Sequence, residues 1–185
     1  MNRILRSIVF LLLAAYSFNG IHADVARENK IKAAYIYHII NFVQWPDQAA
    51  KSTPRNRINV CLVGDETFKS SLAPLTRNSI SAYEIDVVVN HSPNRVGACQ
   101  VLYFANTTME QTRELIAQTC GHPILTLGDA PGFAQAGGMI GFVVHENNVR
   151  LDVNIHAVNR AGFSISAKLL EIALNIIKNP TIDCP

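Results

Sequence analysis

The 185-residue chain lacks an apolar run of the roughly 20 residues that a membrane-spanning helix needs. Its strongest apolar segment, residues 8–16, is too short for a stable span and nothing comparable follows, so no membrane anchor is expected. No two cysteines lie two to four residues apart and no two histidines have i, i+4 spacing, which removes the usual zinc frameworks. No G-x-G-x-x-G or P-loop follows a strand pattern, so a backbone cradle for nucleotide phosphates is missing. Charge of one sign is also scarce. Of the 16 Lys and Arg, Arg3 and Arg6 lie in the first 23 residues, and the remainder equal the 14 acidic residues. With no basic surplus there is no electrostatic footprint for nucleic acid.

What is present begins with a leader. Arg3 and Arg6 precede the apolar residues 8–16, and Ile21-His22-Ala23 closes on a small residue before Asp24. This pattern reads as a secretory signal peptide over residues 1–23, followed by one mature domain over residues 24–185. No cysteine stands immediately after the cleavage point, the first in the chain being Cys61, which argues against lipid attachment. Cys61, Cys99, Cys120 and Cys184 all lie in the exported part, where thiols pair. Four cysteines allow three connectivities, and the spacing alone leaves them open.

Residues 25–44 read as a helix ended by Pro46, with Ile36, Ile39, Ile40 and Val43 on one stripe and Tyr35, His38, Phe42 and Trp45 on a neighbouring aromatic one. The second stripe is either wedged into the fold or meets another chain. After a polar loop over 48–57, short apolar strands at 58–63, 83–89, 100–104 and 123–127 alternate with helices at 66–75, closed by Pro74, and 107–119, with Thr107 as N-cap and Glu110 in a capping box. Continuous apolar strands between helices indicate a parallel sheet covered on both faces. Residues 139–144 and 149–155 flank Asn147-Asn148 as a hairpin, pairing Leu151 with Val144, Val153 with Phe142 and Ile155 with Ile140. Arg150, Asp152, Asn154 and His156 then form a solvated face, with His145 opposite Arg150 and His156 opposite Met139. A last helix over 164–178 places Ile165, Leu169, Ile172 and Ile176 on one stripe. The expected class is α/β: one three-layer domain with a mostly parallel, flavodoxin/Rossmann-like sheet, an antiparallel C-terminal hairpin and helices on both faces.

Catalytic chemistry is thin. Asp65 and Asp129 end strands where α/β folds bind ligands, but an aspartate there more often caps or turns. Ser164 in Gly162-Phe163-Ser164-Ile165-Ser166 lacks the final glycine of a nucleophile elbow and reads as part of a helix start. Gly137-Gly138 frees the backbone for a tight entry into the hairpin or admits a close neighbour.

Residues 32–46 (KAAYIYHIINFVQWP), 58–65 (INVCLVGD), 123–133 (PILTLGDAPGF), 137–143 (GGMIGFV) and 149–173 together resemble the YfiR family of exported bacterial proteins, in order, from about residue 30 to 177. The resemblance implies a periplasmic repressor and not an enzyme, and the residues themselves suggest no cofactor or metal. Such a protein binds the periplasmic sensor domain of an inner-membrane diguanylate cyclase and holds down cyclic-di-GMP and biofilm formation. It also implies sequestration by a peptidoglycan-associated outer-membrane lipoprotein, a homodimer, and a Cys61–Cys99 disulfide. A flavodoxin-like order, with the first and third strands adjacent, is compatible with that bond. The family's second disulfide has no counterpart, because residues 133–141 contain no cysteine. Cys120 with Cys184 is then expected by elimination, the competing outcome being a free Cys184 on a frayed tail. The alternative from another class is a periplasmic small-molecule-binding domain using the strand-end clefts at Asp65 and Asp129.

Overall fold

The structure is a computed structural model that describes residues 24–46, 57–77, 83–89 and 98–179. The leader, the loop at 48–56 and Cys184 lie outside the described residues. Residues 24–42 form helix α1, whose Ile36, Ile39 and Ile40 are fully buried. The helix stops earlier than expected, because Val43–Gln44 leave it as a short strand, β1. β1 pairs antiparallel with β8 (Ser164–Ile165), Val43 opposite Ile165. Val43 is still buried, but from a strand.

The main sheet has the order β3-β2-β4-β5-β6-β7-β9. Its strands are β2 (Arg57–Gly64), β3 (Glu84–Val89), β4 (Val101–Ala105), β5 (Leu125–Gly128), β6 (Ile140–His145), β7 (Asn148–Asn154) and β9 (Ala173–Ile177). β2 through β6 are parallel, and only β6 and β7 run antiparallel. The first four strands therefore have the flavodoxin-like order expected. Side-chain alternation divides the core. One face carries Val60, Tyr103, Leu127, Phe142 and Leu151 against α1 and α2 (Lys69–Arg77). The other carries Cys61, Leu102 and Phe104 against α3 (Met109–Thr119) and Phe133. Helices cover both faces.

Four expectations are corrected. Pro74 does not close α2, which runs on to Arg77. The proline lies on the exposed side, where the carbonyl that loses its partner meets water, while buried Leu72 holds the turn. The cap of α3 is Thr108, not Thr107, and its capping box uses Gln111. In the hairpin the loop is Glu146-Asn147, at φ 49° and 61°, the positive pair that a type I′ turn needs. Val149 now meets Val144, Leu151 meets Phe142 and Val153 meets Ile140, while His145 faces Asn148 and Val143 faces Arg150. The register moves by two, so every side chain keeps its face. β7 ends where the Asn154 side chain accepts the Ala157 N–H and caps α4 (Ile155–Arg160), so Ile155 and His156 are helical.

The last helix is the largest difference. Ser166 caps only α5 (Ala167–Glu171), and β9 follows, parallel to β7. Ile172 and Ile176 are 43% and 45% exposed instead of buried. The β-branched residues 172, 176 and 177 favour extension, and the open edge of β7 supplies backbone partners that an isolated helix lacks.

Candidate functional site

The C-terminal ends of β2, β4 and β5 form the crevice where a sheet of this order accommodates ligands. Here α1 reaches into it. Lys32, only 6% exposed, donates from Nζ to Asp129 Oδ2 at 2.8 Å and pairs with Glu28 Oε1 at 2.6 Å, one turn earlier. Tyr103 Oη donates to the same Asp129 oxygen at 2.9 Å, and the Asn106 N–H donates to Oδ1 at 2.8 Å. One carboxylate thus joins α1, β4 and the turns after β4 and β5.

Burial pulls the Lys32 ammonium down, but the hydrogen bonds and negative charges of Asp129 and Glu28 together outweigh it and hold its pKa above the ordinary lysine value. Burial, then the charge and hydrogen bond of Asp129, push the Tyr103 phenol far up. Neither group is poised to exchange a proton near neutral pH. The arrangement is a clamp. Asp65 is engaged elsewhere, with Oδ1 accepting the Thr67 N–H at 2.8 Å and the Thr67 hydroxyl at 2.6 Å as a cap of the short turn Glu66–Phe68. Lys32 had a sequence signal that went unread: a lysine on the core stripe, four before Ile36 and four after Glu28.

The aromatic stripe divides. Tyr35 is half-buried, with its ring 6.2 Å from Phe142 and its hydroxyl 3.5 Å from the Val149 carbonyl. Trp45 lies beyond the helix, its ring 5.4 Å from Phe163 and its Nε1 donating to the Ile40 carbonyl at 3.1 Å. His38 and Phe42 stay outside, their rings 6.4 Å apart, with Phe42 40% exposed. An open groove of about 760 Å3 runs along the same helix past Ala26, Lys30, Ala34 and Tyr35 to His38.

Cys61 and Cys99 are bonded, with Cα atoms 5.8 Å apart across 38 residues. Cys120 also takes part in a disulfide. A buried carboxylate elsewhere, Asp152, accepts from Gln135 Nε2 at 3.2 Å and Asn175 Nδ2 at 2.7 Å. It was expected in solvent with Asn154, yet both are buried, and Asn154 donates to the Ala134 carbonyl at 2.9 Å. The loop before β6 covers them, and the space for Phe133 in that loop exists because a Cβ at Gly128 or Gly138 would overlap its ring. The close neighbour at the glycine pair is therefore internal. Ser166, not Ser164, supplies the helix cap in the discarded elbow. Among the described residues, no three His, Cys, Asp or Glu side chains gather as a metal site, and no helix is long and apolar enough to cross a membrane.

A crystal structure described as a conserved domain protein from Vibrio cholerae O1 biovar eltor str. N16961 aligns with 80% of this chain and 60% of its own length, at TM-score 0.50 and 12% identity. The ABC domain in complex with L-Trp from Streptococcus pneumonia aligns with 70% of this chain and 58% of its own length, at TM-score 0.48 and 12% identity. The chain thus spans less than two thirds of either structure, and at such identity the first speaks to the fold alone. The sequence itself carries the family. The profile described as YfiR/HmsC-like matches residues 29–174, from the first turns of α1 into β9. The chain belongs to the YfiR/HmsC-like family, a family of periplasmic regulators in cyclic-di-GMP signalling.

Proposed function

We propose that the chain, exported through a leader ending at Ala23 and acting as one domain from Asp24, binds the periplasmic sensor domain of an inner-membrane diguanylate cyclase and inhibits it. Cyclic-di-GMP and biofilm formation fall as a result. The observation that carries this reading is the family match over residues 29–174. The exposed side of α1 supports it, because His38 and Phe42 present aromatic surface beside an open groove, while Tyr35 and Trp45 anchor the same helix to the core. The reading includes a homodimer of the exported chain and its sequestration by an outer-membrane, peptidoglycan-associated lipoprotein.

The test measures binding of residues 24–185 to the purified periplasmic domain of the cyclase, together with cyclic-di-GMP in cells. Binding is expected, and the His38→Ala/Phe42→Ala pair should weaken it about 30-fold, the effect of an interface anchor worth about 2 kcal/mol. The pair should leave the urea midpoint nearly unchanged. A wild-type chain that neither binds the domain nor lowers cyclic-di-GMP overturns the reading; unaltered binding by the variant moves the contact off α1.

A further inference from the structure

We propose that two copies of this chain pair through the outer edge of β9, antiparallel and about a two-fold axis, so that their sheets become one. The inference rests on the homodimer in the proposed function and gives that dimer its surface.

The two edges of the sheet are built differently. β3, at one end of the strand order, carries the exposed carboxylates of Glu84 and Asp86, held by Arg57 on β2. An edge that presents two like charges repels a copy of itself. β9, at the other end, reads Ala-Leu-Asn-Ile-Ile, with no charge, proline or glycine, and among the described residues it pairs with β7 alone. Its outer row of backbone N–H and C=O groups is a template for another strand. Asn175 turns to Asp152, which leaves half-buried Leu174 and exposed Ile176 on the other face, with exposed Ile172 just before the strand.

This edge also fits itself. A two-fold axis at Asn175 sets Leu174 opposite Ile176 of the second copy, and Ile176 opposite its Leu174, on one face. The ends of the strand carry opposite charges: Glu171 precedes it and Lys178 follows it, both exposed. Antiparallel pairing brings each Glu171 beside Lys178 of the other copy, whereas parallel pairing would bring like charges together. Apolar centre and charged ends therefore both complement a second copy. A strand of five residues makes a short seam, so the dimer is expected to be reversible.

Residues 24–185, prepared by oxidative export, provide the test through sedimentation and amide exchange over a dilution series. The wild type should pass from dimer to monomer on dilution, and the amides of residues 173–177 should exchange about tenfold faster in the monomer while β4 exchanges equally in both. Ile176→Lys buries a cation from each copy in the seam and should weaken the dimer about 100-fold. Glu171→Lys should weaken it about fivefold, and adding Lys178→Glu should restore it. These two exposed end positions keep the test open if Ile176→Lys does not fold. A wild-type chain that stays monomeric overturns the proposal together with the homodimer on which it rests. A dimer that Ile176→Lys and Glu171→Lys leave intact, or that leaves exchange at 173–177 unchanged, overturns the proposal alone. So does protection of β9 that arises only when the periplasmic domain of the cyclase is added, which would make the occupant a strand of that domain.

Discussion

Asp129 is half-buried and Asp152 buried behind strands of the same sheet, on opposite faces, and the chain treats them differently. Asp129 meets an ammonium, a phenol and a backbone N–H. Asp152 meets two neutral amides, from Gln135 and Asn175. The cause is what covers each face. A full helix lies over Asp129 and can carry Glu28 and Lys32 one turn apart, whereas Asp152 lies under a loop and beside an edge strand that, among the described residues, meet it with amides and no cation. A charged clamp ties a helix to the sheet; an amide clamp ties a loop and an edge. The first is costly to break because a charge is left behind.

Asp129→Ala should therefore have the largest effect, a loss of about 3–5 kcal/mol in urea unfolding. It leaves the Lys32 ammonium buried with only Glu28, and strips the partner from the Tyr103 hydroxyl and the Asn106 N–H. A loss under about 1 kcal/mol would mean that the crevice admits water and that the clamp is a solvated pair. The clamp also has a pH signature. Because the folded Lys32 pKa lies above the ordinary value of 10.5, its stabilisation is whole below that value and is lost as pH rises through the folded pKa. Titration of the unfolding free energy should be flat in this respect from pH 7 to 10 and fall more steeply above it in the wild type than in Lys32→Met.

Gly138→Ala comes next. The added methyl overlaps the Phe133 ring, and the loop that covers Asp152 must shift, at about 1–3 kcal/mol. Amide exchange should quicken in residues 129–138 and leave α1 unaffected. If α1 responds equally, the two faces are not independent units.

Asp152→Ala should cost less than its counterpart, about 1–2 kcal/mol, because it strands amides and no ion, and Asn175 is open to water. Equal losses at the two aspartates would remove the distinction between the clamps.

The parallel half of the fold was legible because each signal is local: the apolar runs of β2 to β5, and the Ile36-Ile39-Ile40 stripe. The hairpin was legible by face but not by register, since a shift of two keeps every residue on its side and the choice lay between Glu146-Asn147 and Asn147-Asn148 as the left-handed pair. Residues 173–177 were misread because their pattern suits a helix and only the open edge of β7 makes them a strand. Of the site, the Cys61–Cys99 bond was anticipated through the family resemblance. Lys32 was missed because a charge on a buried stripe has meaning only once its partner is known, and Asp129 is 97 residues away.

The smallest effect is expected at Gln135→Leu. Gln135 Oε1 is buried and has no hydrogen-bond partner among the described residues, while Nε2 donates to Asp152 at 3.2 Å. Turning the amide over would not help, since the oxygen would then face the carboxylate. The side chain thus carries a desolvated acceptor, a penalty of about 1–3 kcal/mol, against one hydrogen bond to a charged group worth about 1.5–3 kcal/mol. Leucine removes both and has a similar volume, so the net change should fall within about 0.5 kcal/mol of zero in urea unfolding. Gln135→Glu sets a second carboxylate beside Asp152 and should destabilise by more than leucine does. A loss above about 1.5 kcal/mol for leucine would mean that Oε1 binds an ordered water and that Gln135 is a pillar of the amide clamp.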